Sequence, residues 1–443
     1  MGKLAENRGA AQGQKPTVCF VTLGCKVNQT ESEAVGQIFR NAGYVVVDAA
    51  AAADVVVVNT CTVTNTGDSK SRQLIRRMIK AHPESIVVVM GCYAQTAPGE
   101  VLKIDGVDLV LGTSERTRIL ELIERVKEEK KPQNAVQDIW QAAEFEELPL
   151  LAQETRTRAT LKIQEGCNQF CTYCIIPYAR GPVRSRKPEN ALAEARQLVA
   201  AGFREIVLTG IHTGSYGQDL AGGWDLARLL RELAAIPGLR RLRLSSIEPM
   251  EFSPDLIAAI FALPVVCPHL HIPLQSGSDA VLGRMQRPYS LSAYLDLLAE
   301  LRRRDPEVAV TTDVIVGFPG ETAGEHADSL DFVQGCGFAG IHVFPYSRRR
   351  GTPAADYPGQ VPNKVKEERT REMLAAARAS KRAYAQKFLG RELEVLIERI
   401  DERGMAFGHT ANYLEVRVPA AGKGWQDGDL VAVRLEPECL PDA

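Results

Sequence analysis

Three short β-branched runs, Thr17–Leu23, Asp54–Asn59 and Ser85–Met90, are each followed within two residues by a cysteine: Cys25, Cys61 and Cys92. Between and after them stand segments with helical spacing, Glu31–Ala42, Asp68–Lys80 and Ser114–Val126; in the second, Leu74, Ile75, Met78 and Ile79 share one face. Strands alternating with helices in this way predict a parallel sheet covered by helices. In an open parallel sheet the carboxyl ends of the strands form one ligand-binding edge. Cysteines far apart in sequence are therefore expected to meet there. Three thiolates with no fourth protein ligand suit an iron–sulfur cluster with one open iron. Three buried structural thiols are the competing reading, since free cysteine is often buried.

The alternation resumes downstream. Ala159–Ile163, Glu205–Thr209, Arg241–Leu244, His269–Ile272, Val308–Val316 and Gly340–Phe344 read as strands, with helices such as Pro188–Ala201 and Leu291–Arg304 between them. Six such units predict a curved parallel sheet, an incomplete version of the eight-unit barrel. Residues 127–155 are charged, lack periodicity and read as a linker. Residues 361–388 read as a long helix. Glu392–Ile400, Leu414–Val418 and Leu430–Leu435, with glycine-rich turns, predict a small all-β barrel. The expected class is α/β in three parts: residues 17–130, 153–380 and 383–443.

Charge and hydropathy exclude several functions. There are 53 Lys and Arg against 55 Asp and Glu, so any nucleic-acid site must be a local patch. No apolar run reaches the roughly 18 residues that a membrane helix needs. The first 16 residues lack the apolar core of a secretory signal, and the expected location is the cytoplasm. In a large cytosolic chain, ten cysteines speak for catalysis or metal rather than disulfides.

The densest cysteine motif is Glu165-Gly166-Cys167-Asn168-Gln169-Phe170-Cys171-Thr172-Tyr173-Cys174. A zinc site usually pairs two CxxC halves. Three thiols on one loop instead suit a cluster with an open iron. The loop follows the first strand of the partial barrel, where ligand sites of such folds collect. A structural metal loop is the alternative.

CxxxCxxC in this setting resembles the radical S-adenosylmethionine enzymes. The resemblance implies that Cys167, Cys171 and Cys174 hold a 4Fe-4S cluster, and that S-adenosylmethionine chelates its open iron. One electron then releases a 5′-deoxyadenosyl radical that takes a hydrogen from substrate. With Cys25, Cys61 and Cys92 as a second triad, nearly the whole chain resembles the methylthiotransferases: an amino-terminal cluster domain, the radical domain and a TRAM-like barrel. Four stretches are similar to the branch acting on N6-threonylcarbamoyladenosine in tRNA: Leu23–Gln29, Asn59–Thr64, His269–Gly277 and His342–Ser347. This implies two 4Fe-4S clusters, S-adenosylmethionine, and insertion of a methylthio group at carbon 2 of the adenine at tRNA position 37. An electron donor such as flavodoxin or ferredoxin is implied, and the sulfur donor is left open. A branch acting on isopentenyladenosine, one acting on an aspartate of a ribosomal protein, and an RNA-binding protein with structural metal are the rivals.

The same resemblance places cofactor contacts at Tyr173, Thr209, Gly210, Ser246, Glu248, Gln275 and Gly317; turn chemistry at strand ends is the plainer reading of several. No catalytic residue is expected beyond the cluster ligands. Candidate RNA contacts are Arg184, Arg186, Arg348, Arg349, Lys381 and Arg382. From Pro345 to Ala385 ten basic residues face four acidic ones. Residues 383–443 hold seven basic and eleven acidic residues, so RNA binding there would need a local face, with His409, Asn412, Tyr413 and Arg417 as candidates.

Overall fold

The computed structural model describes residues 15–148 and 157–440. Most of the amino-terminal stretch, and the end of the expected linker, lie outside them.

The amino-terminal sheet has six parallel strands, β1 (Thr17–Thr22), β2 (Val45–Val47), β3 (Val55–Thr60), β4 (Ile86–Gly91), β5 (Leu109–Val110) and β6 (Gln133–Asn134), in the order β2-β1-β3-β4-β5-β6. β3 is buried along its whole length, because helices cover both faces of the sheet. That is why its sequence is a continuous Val run rather than an alternation. β6 lies past residue 130, so the sheet takes in part of the expected linker. The rest of the described linker is anchored too: Glu146 pairs with Arg116, and Glu147 with Arg186.

Beyond the linker, β7 (Ala159–Lys162) leads into a two-stranded hairpin, β8 (Gln164–Glu165) with β9 (Arg184–Ser185). β10 (Glu205–Thr209) and β11 (Arg241–Leu244) follow in parallel, then β12 (His269–His271), β13 (Ala309–Val316) and β14 (Gly340–Pro345). Parallel bridges Leu242 to Val266 and Ser246 to His271 join the two halves. The result is the predicted array of six parallel strands, wrapped by helices on one apolar core. The continuous helix Asn363–Gln386 packs its Met373 and Ala377 on that core. It runs straight through the expected boundary near residue 381.

The last part is an antiparallel sheet of β15 (Glu392–Ile400), β16 (Met405–Thr410), β17 (Glu415–Pro419) and β18 (Leu430–Arg434), ordered β17-β16-β15-β18. Among the described residues β17 and β18 do not pair, so the sheet is open where a closed barrel was expected. The sequence reading missed β16. Its inward positions, Ala406, Gly408 and Thr410, are too small to mark a strand. Gly408 is required: a Cβ there would overlap the Leu396 carbonyl. Among the described residues no helix is long and apolar enough to cross a membrane.

Candidate functional site

Register brings the first triad together. Thr22 pairs with Asn59, Asn59 with Met90, and Thr60 with Gly91, so the residues that follow leave one sheet edge side by side. Cys25 caps helix Lys26–Asn41, Cys61 follows β3 directly, and Cys92 opens the short helix Cys92–Thr96. An amide relay fixes the edge. Asn28 Nδ2 donates to Asn59 Oδ1 at 3.0 Å, and Asn59 Nδ2 to the Asn28 carbonyl at 2.9 Å. Burial pushes the Cys92 thiol up to about 12; Arg180 opposes this, and Cys25, Glu31 and Cys61 add to it. Arg180 Nε donates to Cys92 Sγ at 3.1 Å, while its Nη2 is buried with no partner among the described residues.

The second triad rides the loop between β8 and β9. Its entry is held by Gly166, whose φ is 75°, and a Cβ there would overlap the Pro182 carbonyl oxygen. Gly166→Ala is expected to disrupt the loop and lower bound iron, read by iron analysis of the reconstituted protein. The Cys167 amide donates to the Gly181 carbonyl at 3.0 Å, and the Thr172 amide to the Met285 carbonyl at 3.1 Å. Burial raises the Cys171 thiol and Arg287 opposes it, donating from Nη1 to Cys171 Sγ at 3.2 Å. Burial takes Cys174 up to about 12. His212 Nδ1 lies 3.7 Å from Cys167 Sγ. Burial would lower its pKa, but the Cys167 and Glu251 partners hold it up at about 10. Each triad thus has a cation beside its sulfurs.

These sulfurs fit clusters better than single ions. A zinc ion, with Zn–S near 2.3 Å, would draw tetrahedral thiolates to about 3.8 Å of one another. Among the described residues the three thiols of neither triad all lie within 4.8 Å of one another. A multi-iron cluster takes thiolate ligands and is tuned by hydrogen bonds to its sulfurs, which Arg180 and Arg287 donate here.

A cleft of about 110 Å³ is lined by residues that neighbour both triads. Val63 and Thr64, just past Cys61, form one side; Tyr173, between Cys171 and Cys174, forms another; Gln275, Asp313, Ile315 and Phe344–Ser347 complete it. Of the expected cofactor contacts, Tyr173 and Gln275 therefore line this space. Thr209 is buried at the end of β10, and Gly210 lies against Gln164. Ser246 accepts from Thr213 through its carbonyl at 2.5 Å; the neighbouring Ser245 hydroxyl is buried without a partner among the described residues. Glu248 pairs with Arg287, which joins it to Cys171. Gly317 is buried against the Lys366 side chain and does not line the cleft.

Three of the expected RNA contacts require correction. Arg184 is buried and donates to the Arg180 carbonyl at 3.0 Å. Arg186 is buried between Glu147 and Glu194, and Arg349 reaches Asp68 at 2.7 Å and Thr62. A desolvated guanidinium with carboxylate or carbonyl partners has no face left for phosphate. Arg348 and Arg382 remain exposed and Lys381 half-exposed. On the last sheet, His409, Asn412 and Tyr413 form a seam, not an RNA face. Tyr413 stacks between His269 and His409 at 4.5 and 4.7 Å, and Asn412 is buried. The exposed cationic face there is Arg399 and Arg417 over Phe407. The sequence reading also passed over an exposed aromatic cluster on the radical loop. Phe170 stacks on Trp140 at 5.9 Å, with Tyr178 edge-on to both.

Six parallel strands carrying three cluster-spaced thiols on the loop after the first define a radical S-adenosylmethionine enzyme. Residues 17–112 match uncharacterized protein family UPF0004, and residues 161–333 match the radical SAM superfamily. The threonylcarbamoyladenosine tRNA methylthiotransferase MtaB of Bacillus subtilis is 48% identical over 95% of this chain and 93% of its own length. The tRNA-2-methylthio-N(6)-dimethylallyladenosine synthase of Moorella thermoacetica is 39% identical over 87% of each. The solved radical S-adenosylmethionine methyltransferase TsrM of Kitasatospora setae shares the fold at a TM-score of 0.58, with 14% identity over 77% of each chain. The chain belongs to the radical S-adenosylmethionine methylthiotransferase family, and the radical fold implies a 4Fe-4S cluster and S-adenosylmethionine.

Proposed function

We propose that this enzyme adds a methylthio group to carbon 2 of N6-threonylcarbamoyladenosine at position 37 of tRNA, using two 4Fe-4S clusters. The observation that carries this reading is the single cleft onto which residues beside both triads open. Bound at these sites, the clusters and S-adenosylmethionine would supply a carbon radical and a sulfur donor, the chemistry an unreactive aromatic C–H demands. The chain supplies the rest. Cys167, Cys171 and Cys174 hold the radical site, and Cys25, Cys61 and Cys92 the sulfur-donating site. Arg287 and Arg180 donate hydrogen bonds to their sulfurs. Tyr173 and Gln275 bound the space where cofactor and adenine meet, with Thr209, Gly210, Ser246 and Glu248 behind them on the strand ends.

Arg348, Lys381 and Arg382, with Arg399 and Arg417 flanking Phe407, form the cationic surface for tRNA phosphates and bases. A flavodoxin or ferredoxin delivers the electron, in the cytoplasm. Nucleosides of tRNA from cells with and without the gene test the substrate. Loss of the methylthio form of threonylcarbamoyladenosine is expected. Loss of the methylthio form of dimethylallyladenosine would assign the chain to the other branch, and no change would end the tRNA reading.

A further inference from the structure

The cleft face of the barrel carries a polar cluster that cofactor chemistry does not use. His271, Asp313 and His342 come from the adjacent strands β12, β13 and β14, and their side-chain ligand atoms all lie within 4.8 Å of one another. Alternation along the strands puts them on the cleft side. Asp313 and Ile315 line the cleft from β13, and His342 is two residues before Phe344, which lines it from β14. In the register Asp313 stands opposite His342, and Thr311 opposite His271. The Thr311 hydroxyl meets His271 Nδ1 at 3.0 Å, which leaves Nε2 facing Asp313 Oδ2 at 3.3 Å.

An imidazole offers both an N–H donor and an acceptor nitrogen, and a carboxylate accepts, so this set suits a polar group that presents donors and acceptors together. The two adenine substituents on which the relatives' names differ have opposite chemistry. A threonylcarbamoyl group carries a carboxylate, a hydroxyl and ureido N–H donors. A dimethylallyl group is hydrocarbon. Imidazole N–H donors and one carboxylate acceptor match the first and would be left unpaired against the second, which is how a hydrogen-bonding site rejects an apolar analogue.

We propose that His271, Asp313 and His342 read the substituent on the adenine N6: His342 donates to the threonyl carboxylate, and Asp313, held by His271, accepts its N–H and O–H groups. This inference rests on the reading of the substrate given above.

The test is binding without reductant, so that no turnover intervenes. Holoenzyme is titrated with three anticodon stem-loops that differ only at position 37: threonylcarbamoyladenosine, dimethylallyladenosine or adenosine. Wild type is expected to prefer the first. His342→Phe, at an exposed position, and Asp313→Asn, at a half-buried one, are expected to weaken that RNA by about 10- to 100-fold, the scale of one charged hydrogen bond. Affinity for the adenosine RNA should change little, and iron content should match wild type. Two variants that keep the wild-type preference would overturn the inference while leaving the substrate reading intact. A wild type that prefers the dimethylallyl RNA would overturn both.

Discussion

Replacing Cys167, Cys171 and Cys174 together by Ala is expected to take the anaerobically reconstituted protein from about eight irons to about four, and to abolish reductive cleavage of S-adenosylmethionine. Cys171→Ala alone should abolish cleavage as well. Cys61→Ala should keep cleavage and lose the methylthio product. The asymmetry follows from position. Cys171 sits within the radical loop, with the Arg287 guanidinium on its sulfur. Cys61 stands at the opposite side of the cleft, two residues before Val63. Iron and sulfide analysis, with 5′-deoxyadenosine and product measured in parallel, reads all of these. Four irons or fewer in wild type, unchanged in the triple variant, would mean that the loop holds no cluster. Methylthio product from Cys61→Ala would end the role given to the first triad.

The parts of this site legible in the sequence are those where a residue's role is set by position along one element. Cys25, Cys61 and Cys92 were legible because continuous Val runs mark central strands, and a parallel sheet sends all their carboxyl ends to one edge. CxxxCxxC was legible because its ligands are local. What depended on side chains meeting across elements was not. Arg184, Arg186 and Arg349 read as basic contacts, since nothing in the sequence reveals that Glu147 and Glu194 fold onto Arg186, Asp68 onto Arg349, and backbone carbonyls onto Arg184. Tyr413 reads as part of a local RNA face, but its ring is taken up between His269 and His409. The linker reads as featureless because it packs by isolated acidic contacts, which have no period. The same limit hid Glu31, an ordinary polar position on a helix in sequence and the hub of the molecule in three dimensions.

Glu31→Ala is expected to destabilise the docking of the two domains by about 3–5 kcal/mol, the cost of leaving buried cations unpaired. Glu31 is buried on helix Lys26–Asn41. Its Oε1 meets Arg116 at 2.6 Å, Lys162 at 2.7 Å and Arg180 at 2.5 Å. Lys162 and Arg180 are shared with Glu165, two residues before Cys167, and Arg180 also reaches Cys92. One network of alternating charges therefore ties the amino-terminal sheet, the radical loop and the first triad to a common geometry. Its acid response has a definite sign. Burial opposes ionisation of Glu31, but Arg116, Arg180 and Lys162 hold its carboxyl well below the usual value of 4.5; Lys162 and Arg180 lower Glu165 likewise. A carboxylate depressed in the folded state contributes stability that is complete above its unfolded pKa, and that stability is lost as pH falls through the depressed value. Wild type should therefore hold its full docking stability from neutral pH down to about 5, then lose it steeply on further acidification. In Glu31→Ala the loss below pH 5 should be shallower, starting from a lower plateau. Limited proteolysis and thermal melting across pH 3 to 8 would read both effects, and a variant as stable as wild type at pH 7 would show that the hub does not hold the domains together.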